Sequence, residues 1–490
     1  MLLRNLLNEI EFELIKGSLD QDVNKITYDN RKTEEGDIFF CIKGFASDGH
    51  KFANSAVKNG AKVVFCMDDL SISEDITVLK VKDTRKTMAL IASNYYERPT
   101  EKLKVIGITG TNGKTTSAFM TKKILEDSGY KVGLIGTIAN YIGDRVIKTE
   151  RTTPESLELQ ELFNEMVQEN VEYCVMEVSS HALELDRVYG VRFVGAIFSN
   201  LTRDHLDFHK TFENYYNAKF KLFERTDRAI INLDDDYGKN IISDLKSKNI
   251  KTDIFTYGIH ENAHIKAKDI VNSSKGVKFN VTLDNEEYEF NLQMPGLYNV
   301  YNALSVITLA KNLGISLESI VKGLNKAVVP GRCERTAIEY DIPYEVIIDY
   351  AHTPDGLENI LKTAREFTAS RLISVFGCGG DRDKVKRPMM GRIGTELSDI
   401  AIVTSDNPRS EEPMSIINDI ISGLNTNSYE VVENRREAIK TALEIGKSGD
   451  VIVIAGKGHE NYQILKDKTI HFDEREVVVE ILEQLGVKKC

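Results

Sequence analysis

From Lys104 onward the chain repeats one pattern: a short apolar run, a polar or glycine-rich turn, then a stretch with helical periodicity. KVIGIT reads as a buried strand, and TTSAFMTKKILEDSG as an amphipathic helix closed by Gly129. The apolar runs VGLIGT, EYCVMEV, GAIFSN and RAIINL follow at spacings that suit a mostly parallel sheet. NVYNALSVITLAKNLG predicts another helix, and VVPGR an exit linker near Pro330-Gly331. The alternation then restarts. EVIIDY, RLISVFG, DIAIVTS, YEVV and DVIVIAG are short strand-like runs separated by helical stretches such as PDGLENILKTAREF and RREAIKTALEIG. That is the signature of a second doubly wound α/β domain. Residues 1 to about 100 have a different texture, short strands and helices ending at Arg98-Pro99-Thr100, where proline discourages continued helix.

The expected fold class is therefore α/β in three domains: a small N-terminal α/β domain over 1–100, a central P-loop mononucleotide-binding domain over 101–330, and a C-terminal Rossmann-like domain over 331–490. A chain of 490 residues is the length for about three domains. The net charge of −12 argues against a broad nucleic-acid surface but leaves room for local basic pockets that hold a phosphorylated small molecule. Six scattered cysteines with no C-x-x-C pair argue against a zinc ribbon or disulfide framework and suit a reducing cytoplasm. No run approaches the ~18 apolar residues of a membrane span, and the acidic N-terminal stretch fails as a secretory signal.

The chemistry sits where strands end. Gly110-Thr111-Asn112-Gly113-Lys114-Thr115-Thr116 joins a predicted strand to a predicted helix, the context a phosphate-binding loop requires. Its glycines let successive N–H groups point at phosphate oxygens, with the helix N-terminus adding a favourable dipole. Lys114 offers a point charge and Thr115 a hydroxyl for Mg²⁺, although Ile108 stands where the full pattern has its outer glycine. Glu177 and His205 follow two further strands on the same sheet edge, so a Mg²⁺ site beside a triphosphate is one reading. A helix N-cap and a surface imidazole are the others. In the last block, four strand ends carry Asp349 to Asp355, Cys378 to Asp383, Ser405 to Arg409 and Gly456 to Glu460. Such a set, rich in both signs of charge, suits an amino-acid substrate: Arg382 and Arg409 can fork a carboxylate, and Asp406 and Glu460 can accept from an ammonium.

GTNGKTT, MEVSSHALELDR, TRDHLDFH and YYNAKF, in this order, resemble the Mur ligase family, and the resemblance spans the whole chain. It implies an ATP-dependent ligase of the ADP-forming acid–amino-acid class that activates a carboxylate as an acyl phosphate. In the family a lysine after the TRDHLDFH-like motif is carboxylated by CO₂ and its carbamate helps hold Mg²⁺; Lys219 matches, where the residues alone suggest a solvated helix lysine. DNPR, Asp406-Asn407-Pro408-Arg409, resembles the signature of members that add meso-2,6-diaminopimelate to UDP-MurNAc-L-Ala-D-Glu in peptidoglycan synthesis, and Arg409 supplies a physical reason, since lysine lacks the distal carboxylate it would pair. Resemblance adds Gly456 and Glu460 to Arg382 as amino-acid contacts. It also implies nucleotide contacts at Asn299, Asn302, Arg332 and His352, and muramoyl-peptide contacts at Thr152, Thr153, Ser179 and Arg187. In the first domain it implies a UDP contact at Asn30, where many relatives have serine; Arg31 beside it reads either as a diphosphate partner or as a solvated cation. A cytoplasmic monomer with small-molecule substrates is expected. A lysine-adding ligase, a folylpolyglutamate synthetase-like ligase and a P-loop protein that merely switches on ATP binding are the alternatives.

Overall fold

The computed structural model describes residues 1–44, 47–424 and 428–490, so Phe45 and Ala46, in the stretch TYDNRKTEEGDIFFCIKGFASDGHKF whose resemblance implies UDP binding, lie outside it. The chain forms two compact units interleaved in sequence. One comprises Met1–Thr109, Tyr130–Ala196 and Ala218–Arg228; the other comprises Gly110–Gly129, Ile197–Asn217 and Ala229–Cys490.

The first unit opens with a five-stranded sheet in the order Glu13–Lys16, Thr77–Lys80, Val63–Cys66, Ile38–Phe40, Ile26–Thr27, parallel except at Glu13–Lys16. Period-two alternation sends Ile38, Phe40, Val63, Phe65 and Leu79 to one face, where Met88 and Ile91 of the helix Thr84–Tyr95 cover them. Phe39, Val64 and Val78 pack on the other face against Ala53 and Ala56. Phe40 and Phe65 stack at 4.5 Å between centroids, a packing worth about 1 kcal/mol beyond the area buried. In the same unit Tyr173–Glu177 lies between Lys104–Thr109 and Val132–Ile135, all parallel, and the hairpin Asn140–Ile142 and Arg145–Ile147 continues from Val132–Ile135 in antiparallel register.

In the second unit the helix Lys114–Asp127 packs against Leu297–Asn312 and Leu317–Lys326. Gly323 permits the approach: a Cβ there would lie 2.8 Å from the Ile124 Cα. Three long strands, Ile265–Ser273, Gly276–Leu283 and Glu286–Leu292, form an antiparallel meander that the expectation of a mostly parallel central domain did not include. Its alternation is strict along Val277, Phe279, Val281 and Leu283, all buried, while Lys278 and Thr282 face water. The last part is a six-stranded sheet in the order Glu334–Thr336, Glu345–Asp349, Val451–Ala455, Leu372–Phe376, Ile400–Val403, Tyr429–Val431, parallel except for the first strand. The helices Pro354–Phe367, Lys386–Leu397 and Pro413–Ile421 cover one face, and Arg435–Ile445 and Glu474–Gln484 the other. This doubly wound layering is the one the apolar runs predict, and it gathers the loops after Phe376, Val403 and Ala455 at the carboxyl edge.

Candidate functional site

The phosphate-type loop has its expected placement, with Gly110 and Gly113 at φ +155° and +87°. Both are also sterically required. A Cβ on Gly110 would come within 1.8 Å of the Ser199 Oγ, and one on Gly113 within 2.3 Å of the Asn302 Oδ1. The Lys114 ammonium folds back and donates to the carbonyls of Gly110 and Thr111 at 2.9 and 2.8 Å. Thr111 is braced by Tyr215 (3.1 Å) and by the Thr202 N–H, which donates to its hydroxyl (2.9 Å); the Asn200 Oδ1 accepts the Asn112 N–H at 3.0 Å. Asn302, rather than Asn299, is the neighbour of the loop. Asn299 stands behind it, accepting from Asn302 (3.2 Å) and donating to the Pro295 carbonyl (2.7 Å).

The same unit brings C-terminal residues to this loop. Arg332 donates to the Thr115 hydroxyl at 3.3 Å and lies over the Tyr350 ring at 4.5 Å. Its Nε is buried with no partner among the described residues, an orphaned donor of the kind an anionic ligand completes. The Asn112 amide donates to Asp355, so this member of the strand-end cluster expected to meet the amino acid touches the phosphate-type loop instead. The His352 Nδ1 donates to the Tyr350 carbonyl (2.9 Å), and the His352 carbonyl receives the buried Lys386 ammonium at 2.9 Å. Burial, then the charge of Lys386, pushes the His352 pKa down to about 4, so its imidazole is neutral at physiological pH. His205 sits in the left-handed region (φ 53°), half-exposed and 3.3 Å from the Asp204 carboxylate.

In the other unit Glu177 is fully buried at the end of its strand. Its carboxylate accepts from the Thr137 N–H (2.9 Å) and hydroxyl (3.1 Å), and Gly136 makes room, since a Cβ there would meet the Glu177 Oε1 at 2.4 Å. Thr152 meets the Thr137 hydroxyl at 3.0 Å; Thr153 donates to the Glu177 carbonyl (2.8 Å) and accepts from the Ser179 N–H (3.1 Å). Arg187 donates to the Thr153 carbonyl at 3.1 Å and pairs with Glu155 at 2.9 Å, while its Nε is buried without a partner among the described residues. Lys219 is only 1% exposed, which removes the solvated-helix reading. Asn30 donates to the Ser55 hydroxyl (3.1 Å), and Arg31 is spent on a largely exposed pair with Asp29.

Around the amino-acid candidates the lattice is dense. Arg409 adopts φ 53° and turns its Nη1 to the Gly380 carbonyl (2.8 Å), so only its Nε and Nη2 edge remains for a ligand carboxylate. Arg382 stands near it; burial, then the Arg409 charge, lowers the Arg382 pKa, the electrostatics of a place short of an anion. The fully buried Arg387 bridges Glu411 and Asp419 at 2.8 Å each and holds the Glu411 carboxyl down at about 2. Glu411 accepts the Asp381 N–H (2.7 Å), and Asp381 accepts the Ser410 hydroxyl (2.6 Å), so the loops of Arg382 and Arg409 are laced together. Asp406 is buried. Burial raises its pKa, but Lys457 and Arg435 outweigh that and hold it below the usual range. Glu460 accepts from the Asn407 amide at 2.9 Å, and Gly456 lets Asp406 approach, with a Cβ there 2.9 Å from its Oδ2. Arg387 and Arg435 were not legible beside these loops, because a charged residue in a helix reads as solvated until its burial is seen.

A cradle shaped by two glycines, a lysine, a hydroxyl and an orphaned arginine nitrogen fits a nucleoside triphosphate. Thr115, on the same loop, offers a hard oxygen donor of the kind Mg²⁺ prefers. The fold and site thus define a P-loop α/β protein with a second doubly wound sheet whose carboxyl-edge loops carry Arg382, Asp406, Arg409 and Glu460. Family models agree: the Mur ligase middle domain matches residues 108–310, the Mur ligase glutamate ligase domain 331–458, and the Mur ligase family catalytic domain 22–96. The UDP-N-acetylmuramoyl-L-alanyl-D-glutamate–2,6-diaminopimelate ligase of Clostridium perfringens is 61% identical, covering 99% of this chain and 100% of that one. Its counterpart in Clostridium tetani is 56% identical at the same coverage. A solved structure of a ligase of that name superposes with a TM-score of 0.71 at 30% identity, over 99% of both chains. This chain belongs to the Mur ligase family.

Proposed function

We propose that this protein is the ADP-forming ligase that joins meso-2,6-diaminopimelate to UDP-MurNAc-L-Ala-D-Glu in peptidoglycan precursor synthesis. The observation that carries the reading is the 61% identity over essentially the full length of a relative bearing that name. The Arg382–Arg409 pair beside the acidic Asp406 and Glu460 supports it, because a diamino diacid needs both signs of charge. In this reading residues 1–100 hold the UDP end with Asn30, residues 101–330 bind ATP, and residues 331–490 take the amino acid.

ATP lies on the Gly110–Thr116 loop with its phosphates at Lys114, aided by Arg332, His352 and Asn302, which Asn299 holds from behind. Thr152, Thr153, Ser179 and Arg187 hold the muramoyl-dipeptide. The D-glutamyl γ-carboxylate attacks the γ-phosphorus, the bond to the ADP oxygen breaks, and an acyl phosphate forms. Lys114 offsets charge on the transferring group. Bound at Thr115, Glu177, His205 and a carbamate on Lys219, Mg²⁺ would supply further charge neutralisation there. The uncharged amine of diaminopimelate, oriented by Arg382, Asp406, Asn407, Arg409, Gly456 and Glu460, then attacks the activated carbonyl. Phosphate leaves and the amide remains. Closure of the amino-acid domain on the ATP domain keeps water from the acyl phosphate.

No helix among the described residues is long and apolar enough to cross a membrane, and a cytoplasmic monomer is part of the proposal. The test is ADP release with each substrate omitted in turn: release requires the UDP-dipeptide and diaminopimelate together, and release without the amino acid overturns the reading.

A further inference from the structure

Lys457 stands inside the Gly456–Glu460 turn but has no part in the chemistry above. Its side chain is wholly buried. A lone buried ammonium is costly, so its partners define its role. Its Nζ donates to the Asn407 Oδ1 at 3.0 Å and the Glu460 Oε2 at 3.1 Å, and lies 3.7 Å from the Asp406 Oδ1. Those three residues come from two loops, one after Ile400–Val403 and one after Val451–Ala455. The Asn407 amide closes the triangle to Glu460 at 2.9 Å, and its Oδ1 also accepts the Ile464 N–H at 2.9 Å.

A second buried cation here is already matched. Arg435 pairs with Glu474 at 2.5 Å, both side chains at 0% exposure, and donates to the Ala455 carbonyl at 2.8 Å. Lys457 is therefore shared by two carboxylates, which leaves one negative charge among the three groups. Arg409 adds one positive charge beside them. An amino-acid end carrying one ammonium and one carboxylate matches this set, charge for charge.

We propose that Lys457 is a positioning residue that sets amino-acid specificity. It locks the Asp406 loop to the Glu460 turn and leaves that carboxylate pair a single unmatched charge, which selects an ammonium beside the carboxylate held by Arg409. The inference rests on the diaminopimelate-ligase reading.

The test compares wild type, K457M and K457Q in steady-state kinetics with ATP, UDP-MurNAc-L-Ala-D-Glu and diaminopimelate each varied, alongside thermal melts. Removing one partner of a buried charge pair weakens binding by about thirtyfold or more. The KM for diaminopimelate in K457M rises by that factor, while the KM values for ATP and the UDP-dipeptide stay at wild-type levels. K457Q, which keeps an amide donor toward Glu460 without the charge, shows the same split if K457M does not fold. An unchanged KM for diaminopimelate overturns the proposal, as does a parallel change in all three KM values that tracks a lowered melting temperature. A wild-type protein that never turns over diaminopimelate overturns the functional reading itself and this inference with it.

Discussion

Gly113→Ala probes the nucleotide loop at its tightest point. The residue sits at φ +87°, where an L side chain costs about 1–2 kcal/mol. The added Cβ lies 2.3 Å from the Asn302 Oδ1, so Asn302 has to retreat by about 1 Å to reach ordinary contact. It has little freedom to do so. Asn302 is buried, its Nδ2 is held by Asn299 at 3.2 Å, and Asn299 is itself tied to the Pro295 carbonyl at 2.7 Å. Breaking one of these buried hydrogen bonds costs about 1–3 kcal/mol, which brings the penalty on the loop conformation to about 2–5 kcal/mol. The expected loss of ATP affinity is then about thirtyfold at the low end and several thousandfold at the high end. Isothermal titration with Mg·ATP reads it. Gly129→Ala is the control: φ is +89°, but no heavy atom lies within 4 Å of the new Cβ. That variant loses stability by about 1–2 kcal/mol and keeps its ATP affinity. Wild-type affinity in Gly113→Ala, or an equal loss in Gly129→Ala, refutes the steric reasoning.

Arg409→Lys removes the Nε and Nη2 edge while keeping the charge, so kcat/KM for diaminopimelate falls about thirtyfold to a hundredfold in steady-state assays, with the KM for ATP unchanged. Arg387→Met leaves Glu411 without its main partner and lowers the denaturant midpoint by the equivalent of about 3 kcal/mol; an undiminished midpoint contradicts the bridging role. His352 is held neutral, with a folded pKa of about 4 against about 6.5 unfolded. A depressed folded value means its contribution is whole above pH ~6.5 and is lost as pH falls toward 4, by at most about 3 kcal/mol. Thermal melts across that window show a shallower acid loss in His352→Gln than in wild type.

Much of this architecture was legible because burial on both faces of a parallel sheet writes continuous apolar runs. EVIIDY, RLISVFG, DIAIVTS and DVIVIAG became the strands Glu345–Asp349, Leu372–Phe376, Ile400–Val403 and Val451–Ala455. The meander over Ile265–Leu292 was not read, because its strands bury one face only and alternate Lys, Asn and Glu with apolar residues, leaving no apolar run to notice. The glycines of the phosphate loop announced themselves by their spacing. Their necessity came from Ser199 and Asn302, about ninety and one hundred and ninety residues away, and no local pattern reports such a contact. Lys219, Arg387, Arg435 and Lys457 illustrate the same limit from the other side. Sequence marks a charge, and only packing shows that it is buried.

The most direct measurement is mass spectrometry of the product formed from UDP-MurNAc-L-Ala-D-Glu, Mg·ATP and an equimolar mixture of meso-diaminopimelate, lysine and glutamate. The account predicts a single nucleotide product heavier by diaminopimelate less one water, with one ADP released per product. A lysine or glutamate adduct in its place, or ADP formed with no adduct at all, would contradict it.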